Sequence, residues 1–299
     1  MFRTIVRMAG GIFRLCLLIP PALLMLLPIM LLLSGSITSH QELGTYLRPV
    51  LEERTLLTQE DRKAEDGNHT SWKLVPRYPT LEHYEKALLL SPQFYTVFWN
   101  SVAMTAAILA GQLLVATPAA WAFAVYRFRG NQVLFTGYIV LMLMPFQVTM
   151  LSQYLVLNAL GVMDTREAVI LPAIFSTFPV FLMYRSFCTI PKGLLEAGRI
   201  DGAGEWTLFF RIGLPLASGG ILSATVLGFL ECWNMIEQPL AFLREKALWP
   251  LSLYLPEIDT NQAGFAFAAS VITLIPAVFV FLLGQDYLEQ GIVASGIKE

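Results

Sequence analysis

Apolar residues in this chain fall into long blocks and do not alternate with polar ones. A first run follows Arg14 and ends near Leu33; further runs cover approximately Thr96–Val125, Leu134–Leu157, Ala168–Phe187, Ile212–Gln238 and Ala263–Gln285. A helix of about twenty apolar residues matches the hydrocarbon thickness of a bilayer. In lipid a helix also satisfies every backbone donor and acceptor within itself. The pattern therefore predicts an all-α, polytopic fold with six membrane spans, forming one domain over residues 1–299. A secretory signal peptide is the competing reading of the first run. The run is long for that role, and five more spans follow it, so a retained first helix is expected.

The polar stretches set the rest of the organisation. Residues 34–96 form the one long hydrophilic loop, and it is acidic. Within it, Gln41–Thr58 carries Leu43, Leu47, Leu51 and Leu57 at roughly helical spacing, and Gln59–Ser71 reads as an exposed loop tip. Thr80–Leu90 reads as a second helix with Thr80 as its N-cap. Trp99, Trp121 and Trp233 sit near span ends, where indole rings favour the membrane interface. Pro28, Pro118, Pro145, Pro172, Pro179, Pro215 and Pro276 put a proline in every span. Pro20, Pro21 and Pro28 are expected to kink the first.

Composition agrees with the blocks. The chain is 56% hydrophobic and 14% charged, with a mean hydropathy of +0.60, whereas soluble domains carry about 25% charged residues. A net charge of −2 argues against a nucleic-acid partner. The three cysteines, Cys16, Cys188 and Cys232, read as free thiols in or beside apolar blocks and form no disulfide framework. The three histidines, His40, His69 and His83, fit no zinc spacing and are expected at the surface. No phosphate-binding G-x-x-x-x-G-K-[ST] loop and no H-E-x-x-H occur, so neither a catalytic residue nor a metal site is expected.

The stretch from Pro191 to Pro215, PKGLLEAGRIDGAGEWTLFFRIGLP, organises the chain. It reads as a short helix at Leu194–Arg199, a turn at Asp201-Gly202 where glycine takes positive φ cheaply, and a second helix at about Gly204–Ile212 that stops near Pro215. Ala197, Gly198, Gly202, Ala203 and Gly204 allow another surface to come close. Leu194, Leu195 and Ile200 supply an apolar side, and Glu196, Arg199, Asp201 and Glu205 supply charge. The composition is that of a helical knob that docks in a groove.

Glu196-Ala197-Gly198, Asp201-Gly202-Ala203, Phe209, Ile212 and Leu214-Pro215 resemble the EAA loop of ABC importer permeases. Gly198 stands where the pattern has alanine, a change that loosens a helix by about 1 kcal/mol. Thr80 to Tyr84, Asn100-Ser101, Pro145, Gln147-Val148, Leu160-Gly161, Asp164-Thr165, Trp233-Asn234, Trp249-Pro250-Leu251, Ala268-Ala269-Ser270, Pro276 and the tail from Gln285 to Lys298 extend the likeness over most of residues 80–299. The chain is similar to carbohydrate-type, maltose-type permease subunits of binding-protein-dependent ABC importers. The segment Gln41–Val75 lies outside the likeness.

The resemblance implies a transmembrane permease subunit, itself no enzyme, for a sugar or oligosaccharide. It implies a second permease subunit, two cytoplasmic ABC ATPases that bind ATP and magnesium, an extracytoplasmic solute-binding protein and surrounding membrane lipid; this chain itself would hold no cofactor. Glu196, Ala197, Gly198, Asp201, Gly202 and Ala203 would form a cytoplasmic coupling helix within the loop 191–215. That places both termini in the cytoplasm of a bacterial cell and the loop 34–96 outside. Charge agrees in density: with the N-terminus inside, the inner segments balance at +4 and the outer at −6. Ten basic residues fall on each side, but the inner segments are shorter.

Polar residues in the spans are the candidates for a solute path, because each costs free energy in lipid. Gln147, Tyr154, Glu231, Trp233, Asn234 and Gln238 are singled out. Amides and carboxylates bind sugar hydroxyls, and an aromatic face covers a sugar ring. Glu231, Asn234 and Gln238 recur at i, i+3 and i+7 and would share one helix face. Helix–helix hydrogen bonding is the competing role for each of them. The reading from another class is a membrane-embedded enzyme acting on lipid-linked substrates.

Overall fold

The computed structural model describes residues 2–45, 75–255 and 262–296. Among these residues the chain is helical, with a single isolated bridge between Thr38 and Pro79. The helices are α1 (Phe2–Ile37), α2 (Glu82–Glu85, continued by a π-turn at Lys86–Leu90), α3 (Pro92–Val125), α4 (Asn131–Leu143), α5 (Phe146–Ala159), α6 (Arg166–Ile174), α7 (Thr177–Phe187), α8 (Lys192–Ile200), α9 (Glu205–Leu208), α10 (Leu214–Trp233), α11 (Glu237–Phe242), α12 (Leu251–Tyr254) and α13 (Ala263–Gly296). Residues 40–45 are helical; the rest of the amphipathic stretch expected over Gln41–Thr58, and the loop tip Gln59–Ser71, lie outside the described residues.

Five described stretches are long and apolar enough to cross a membrane: Leu17–Ile37, Pro92–Val125, Arg166–Phe187, Glu205–Trp233 and Ala263–Leu288. The third expected span is a pair, α4 and α5, bent by 104° at Met144-Pro145. Proline has no N–H to donate and drives the residue before it out of the helical region. Met144 and Pro145 accordingly take extended ψ values of 126° and 147°. Counted as one broken span, the pair brings the total to six. Pro20, Pro21, Pro28, Pro118 and Pro276 lie inside uninterrupted helices.

The contacts divide the chain into two units, Met1–Phe94 with Glu257–Thr273, and Tyr95–Pro256 with Leu274–Glu299. In the first unit the end of α1 is tied to the residues before α2. Thr80 N–H donates to Ile37 O at 2.8 Å, and Tyr84 Oη donates to Ser36 Oγ at 2.8 Å. His83, expected at the surface, is only 6% exposed, with Nε2 3.0 Å from Thr38 O. Its ring packs so closely on Gly264 that a Cβ there would lie 2.3 Å from it. His40 is exposed.

In the second unit, residues from well-separated parts of the sequence meet in one polar knot. Asn100 on α3 donates to Ala247 O and Trp249 O and accepts from Arg166. Ser101 Oγ accepts the Leu251 N–H at 2.7 Å. Asp164, at φ 59°, takes the Arg244 and Glu245 N–H groups on one carboxylate oxygen at 2.7 and 3.0 Å. These two amides, Glu245 foremost, hold its carboxyl below the ordinary aspartate range.

Two expectations about aromatic and helical positions are corrected. Trp99 is exposed, but Trp121 and Trp233 are buried. Trp121 is held edge-on by Phe187 at 5.3 Å, and Trp233 stacks on Phe229 at 5.5 Å. Packing against other rings outweighs the interfacial preference. Pro215 does not stop the helix: it sits at the start of α10, where a missing N–H costs little, and α10 continues to Trp233.

Candidate functional site

The stretch Pro191 to Pro215 folds as a helix, a sharp turn and a second helix. α8 runs from Lys192 to Ile200, longer at both ends than the Leu194–Arg199 expected. Gly202 takes φ +83°. Its N–H donates to Arg199 O, and the Ala203 N–H donates to Gly198 O at 2.9 Å. That pair of bonds is the Schellman closure, and it needs a residue in the left-handed region that glycine occupies without strain.

The inner side of this hairpin is rooted in the protein. Leu195, Leu208 and Phe209 are buried with Trp121, Val180, Met183 and Phe187. Arg199 and Glu205, expected among the charges offered to a partner, bind each other: Arg199 Nε lies 3.1 Å from Glu205 Oε1. Tyr126 Oη donates to Glu205 Oε2 at 2.8 Å, fixing the hairpin to the end of α3. Burial, together with that carboxylate, raises the Tyr126 phenol above its usual value. The outer side is a mixed apolar and acidic surface. Ile200 is 85% and Trp206 73% exposed, and Leu194, Glu196, Ala197, Asp201 and Phe210 are exposed around them.

From the hairpin one helical rod leads away. α9, a π-turn at Phe209–Gly213 and α10 form an apolar stretch of 29 residues, Glu205–Trp233, or about 43 Å at 1.5 Å per residue. Gly213 in the π-turn lies against Trp121, whose ring would be 2.5 Å from an added Cβ.

The far end of the rod reaches a cavity of about 520 Å³. Interrupted helices bound it. Met144 and Phe146 flank the α4–α5 break, Phe175 and Ser176 form the α6–α7 break, and Met235 and Ile236 form the α10–α11 break. The polar lining includes Gln112, Thr149, Gln153, Ser176, Thr177, Glu231, Glu237 and Gln238. Gln112, nearly buried, donates to Ala173 O, a carbonyl left near the end of α6. The amide oxygens of Gln153 and Gln238 are buried and accept no hydrogen bond among the described residues. A buried acceptor left so costs about 1–3 kcal/mol, which a ligand hydroxyl would recover. Phe146, Phe175 and Phe178 supply aromatic surface.

The stripe of Glu231, Asn234 and Gln238 expected on one helix face does not form. α10 ends at Trp233, Asn234 is its C-cap at φ −100° and ψ 9°, and Gln238 belongs to α11. Pro239 lies in the first turn of α11, where its missing N–H costs little. The cavity nevertheless brings Glu231 and Gln238 together across the break. Asn234 turns back to Leu230 O at 2.8 Å, and Trp233 is 3% exposed among Phe98 and Phe229. Gln147 donates to Glu237 at 2.7 Å, linking α5 to α11 beside the cavity, and Tyr154 packs near Leu157 and Phe242. Phe175 was not anticipated. Its signal was Ser176-Thr177 followed by Pro179, a helix start inside an apolar run.

Residues 112–294 match the family described as binding-protein-dependent transport system inner membrane component. An arabinooligosaccharides transport system permease protein of Halalkalibacterium halodurans is 32% identical over 226 residues, covering 75% of this chain and 81% of that protein. An sn-glycerol-3-phosphate transport system permease protein of Yersinia enterocolitica is 30% identical over 210 residues, covering 69% and 75%. Among solved structures, a chain of a bacterial ABC transporter involved in the import of the acidic polysaccharide alginate superposes with a TM-score of 0.71 at 23% identity, covering 96% of each chain. That likeness establishes the fold.

Proposed function

The chain belongs to the family of binding-protein-dependent transport system inner membrane components, and on that premise we propose that it is one of two permease subunits forming the translocation path of an ABC importer for a sugar or oligosaccharide. The observation that carries this reading is the single rod Glu205–Trp233, which has the coupling hairpin at one end and the cavity at the other. A displacement of the hairpin is passed along a continuous helix to the residues lining the cavity. Cytoplasmic ATPases, which bind ATP and magnesium themselves, would hold the exposed face of α8 and the Trp206–Phe210 surface. Glu196, Ala197, Asp201 and Gly202 lie on that face or its turn, while Gly198 and Ala203 let it pack closely on α9.

In this reading the hairpin and both termini face the cytoplasm. The loop 34–96 lies outside, where a solute-binding protein delivers cargo. Amide, carboxylate and phenyl groups around the cavity provide the chemistry of sugar recognition. The membrane-embedded enzyme weighed from the sequence finds no support in a family of transport components.

The test is reconstitution. The tagged chain should co-purify with a second six-span subunit and an ABC ATPase, and the complex should take up a saccharide only with ATP and the binding protein. Purification without an ATPase, or uptake that ignores ATP, would overturn the assignment.

A further inference from the structure

Resting on the importer reading above, we propose that the cavity selects for uncharged saccharides, with Glu231 and Glu237 repelling anionic ones such as uronates and sugar phosphates. The cavity carries two carboxylates and, among its described lining residues, no lysine, arginine or histidine. An anionic cargo would need a basic partner there. Bringing a further negative charge beside two carboxylates with no basic group among them is unfavourable, because like charges repel.

The uncharged parts of the lining suit hydroxyl groups. Gln153 and Gln238 present buried amide oxygens without donors, and hydroxyls supply donors. A carboxylate or phosphate supplies none and would face those oxygens with its own. Phe175, 65% exposed at the α6–α7 break, offers a flat apolar face to the axial hydrogens of a sugar ring.

The placement of the carboxylates also matters. Glu231 lies on the last turn of α10 and Glu237 on the first turn of α11, so both sit at the α10–α11 break. Both side chains are exposed, so amide replacements remove charge without opening a packed core. Gln147 donates to Glu237 Oε1, and Glu237→Gln keeps a group able to accept there.

The experiment uses the whole transporter with its own binding protein in proteoliposomes. Uptake of a transported neutral oligosaccharide is compared with that of the same oligosaccharide bearing one uronate residue, for wild type, Glu231→Gln, Glu237→Gln and the double variant. Because the binding protein is the same throughout, a change in ratio reports on this chain. The expected result is at least a tenfold wild-type preference for the neutral sugar, with that ratio of the two uptakes reduced threefold or more in the double variant. Equal wild-type uptake of both would overturn the selectivity while leaving the sugar-importer reading intact. A preference that all three variants keep would place selection elsewhere and also overturn it. Transport of a non-saccharide solute and of no sugar would sink the sugar-importer reading itself, and the selectivity with it.

Discussion

The two ends of the rod Glu205–Trp233 are built in opposite ways. At the hairpin end, rings and close glycine contacts fill the space: Trp121 meets Phe187 and Phe209 at 5.3 and 5.6 Å, and Gly213 lies against the Trp121 ring. Tyr126, Glu205 and Arg199 pair there, while the Trp121 indole N–H is buried without an acceptor among the described residues. At the cavity end, interrupted helices converge, and two buried amide oxygens lack partners. The first arrangement is closely packed. The second leaves an open space lined by polar and aromatic side chains. In the proposed importer, one helix with a packed root and an open tip would carry a push at the hairpin to the cavity.

Filling should matter most at the packed end. Trp121→Ala removes a buried ring from the centre of that cluster, and truncations of this kind cost about 3–5 kcal/mol. The expected outcome is a large fall in the thermal unfolding temperature of the purified complex, with poor assembly. A variant as stable as wild type would show that the hairpin is not rooted there.

Next in size is the polar knot near the cavity end. Asn100→Ala removes the donor to the Ala247 and Trp249 carbonyls, the second of these bonds buried, and the acceptor of the exposed Arg166. Each buried group left unsatisfied costs about 1–3 kcal/mol, so a clear loss of thermal stability is expected, with ATPase coupling kept in the molecules that remain folded. Loss of coupling without loss of stability would move the knot into the transmission path.

A smaller effect is expected from acid. The Asp164 carboxyl is depressed in the folded chain by the Glu245 and Arg244 amides. A group lowered on folding supports stability above its unfolded pKa, about 3.9 for aspartate, and that support is lost as pH falls through the folded value. Asp164→Asn should therefore melt below wild type at pH 7, and the gap should close as the pH drops below about 4. A gap independent of pH would contradict the assignment. Smallest of all is Gly198→Ala. It gains about 1 kcal/mol of helix propensity but presses a methyl to 2.7 Å from Leu208 Cδ2, and a near-neutral change in unfolding temperature is expected.

Much of this contrast was legible from residue order, and part of it was not. The blocks of apolar residues gave the spans, because burial in lipid demands length and composition alone. The Gly202 turn was legible because a left-handed position is chemically selective. The break at Pro145 follows from a missing N–H, although proline at 118 or 276 broke nothing, since neighbouring packing decides whether a helix bends or carries on. The end of α10 at Trp233 was missed because a nearly continuous apolar and amide pattern looks helical through Gln238. The knot was out of reach. Asn100, Asp164 and Trp249 stood out in the sequence, but only the folded chain joins residues so far apart.

The central claim is that the hairpin drives the cavity, and the most direct measurement is cargo-stimulated ATPase activity of the reconstituted complex carrying Gly202→Val. Valine is strained at φ +83°, so the Schellman turn must open and the exposed face of α8 must shift, while the buried root at Leu195, Leu208 and Phe209 is left in place. The account predicts an assembled complex with basal ATP hydrolysis near wild type, stimulation by cargo and binding protein reduced at least tenfold, and uptake lost in parallel. Full stimulation and full uptake in that variant would contradict it.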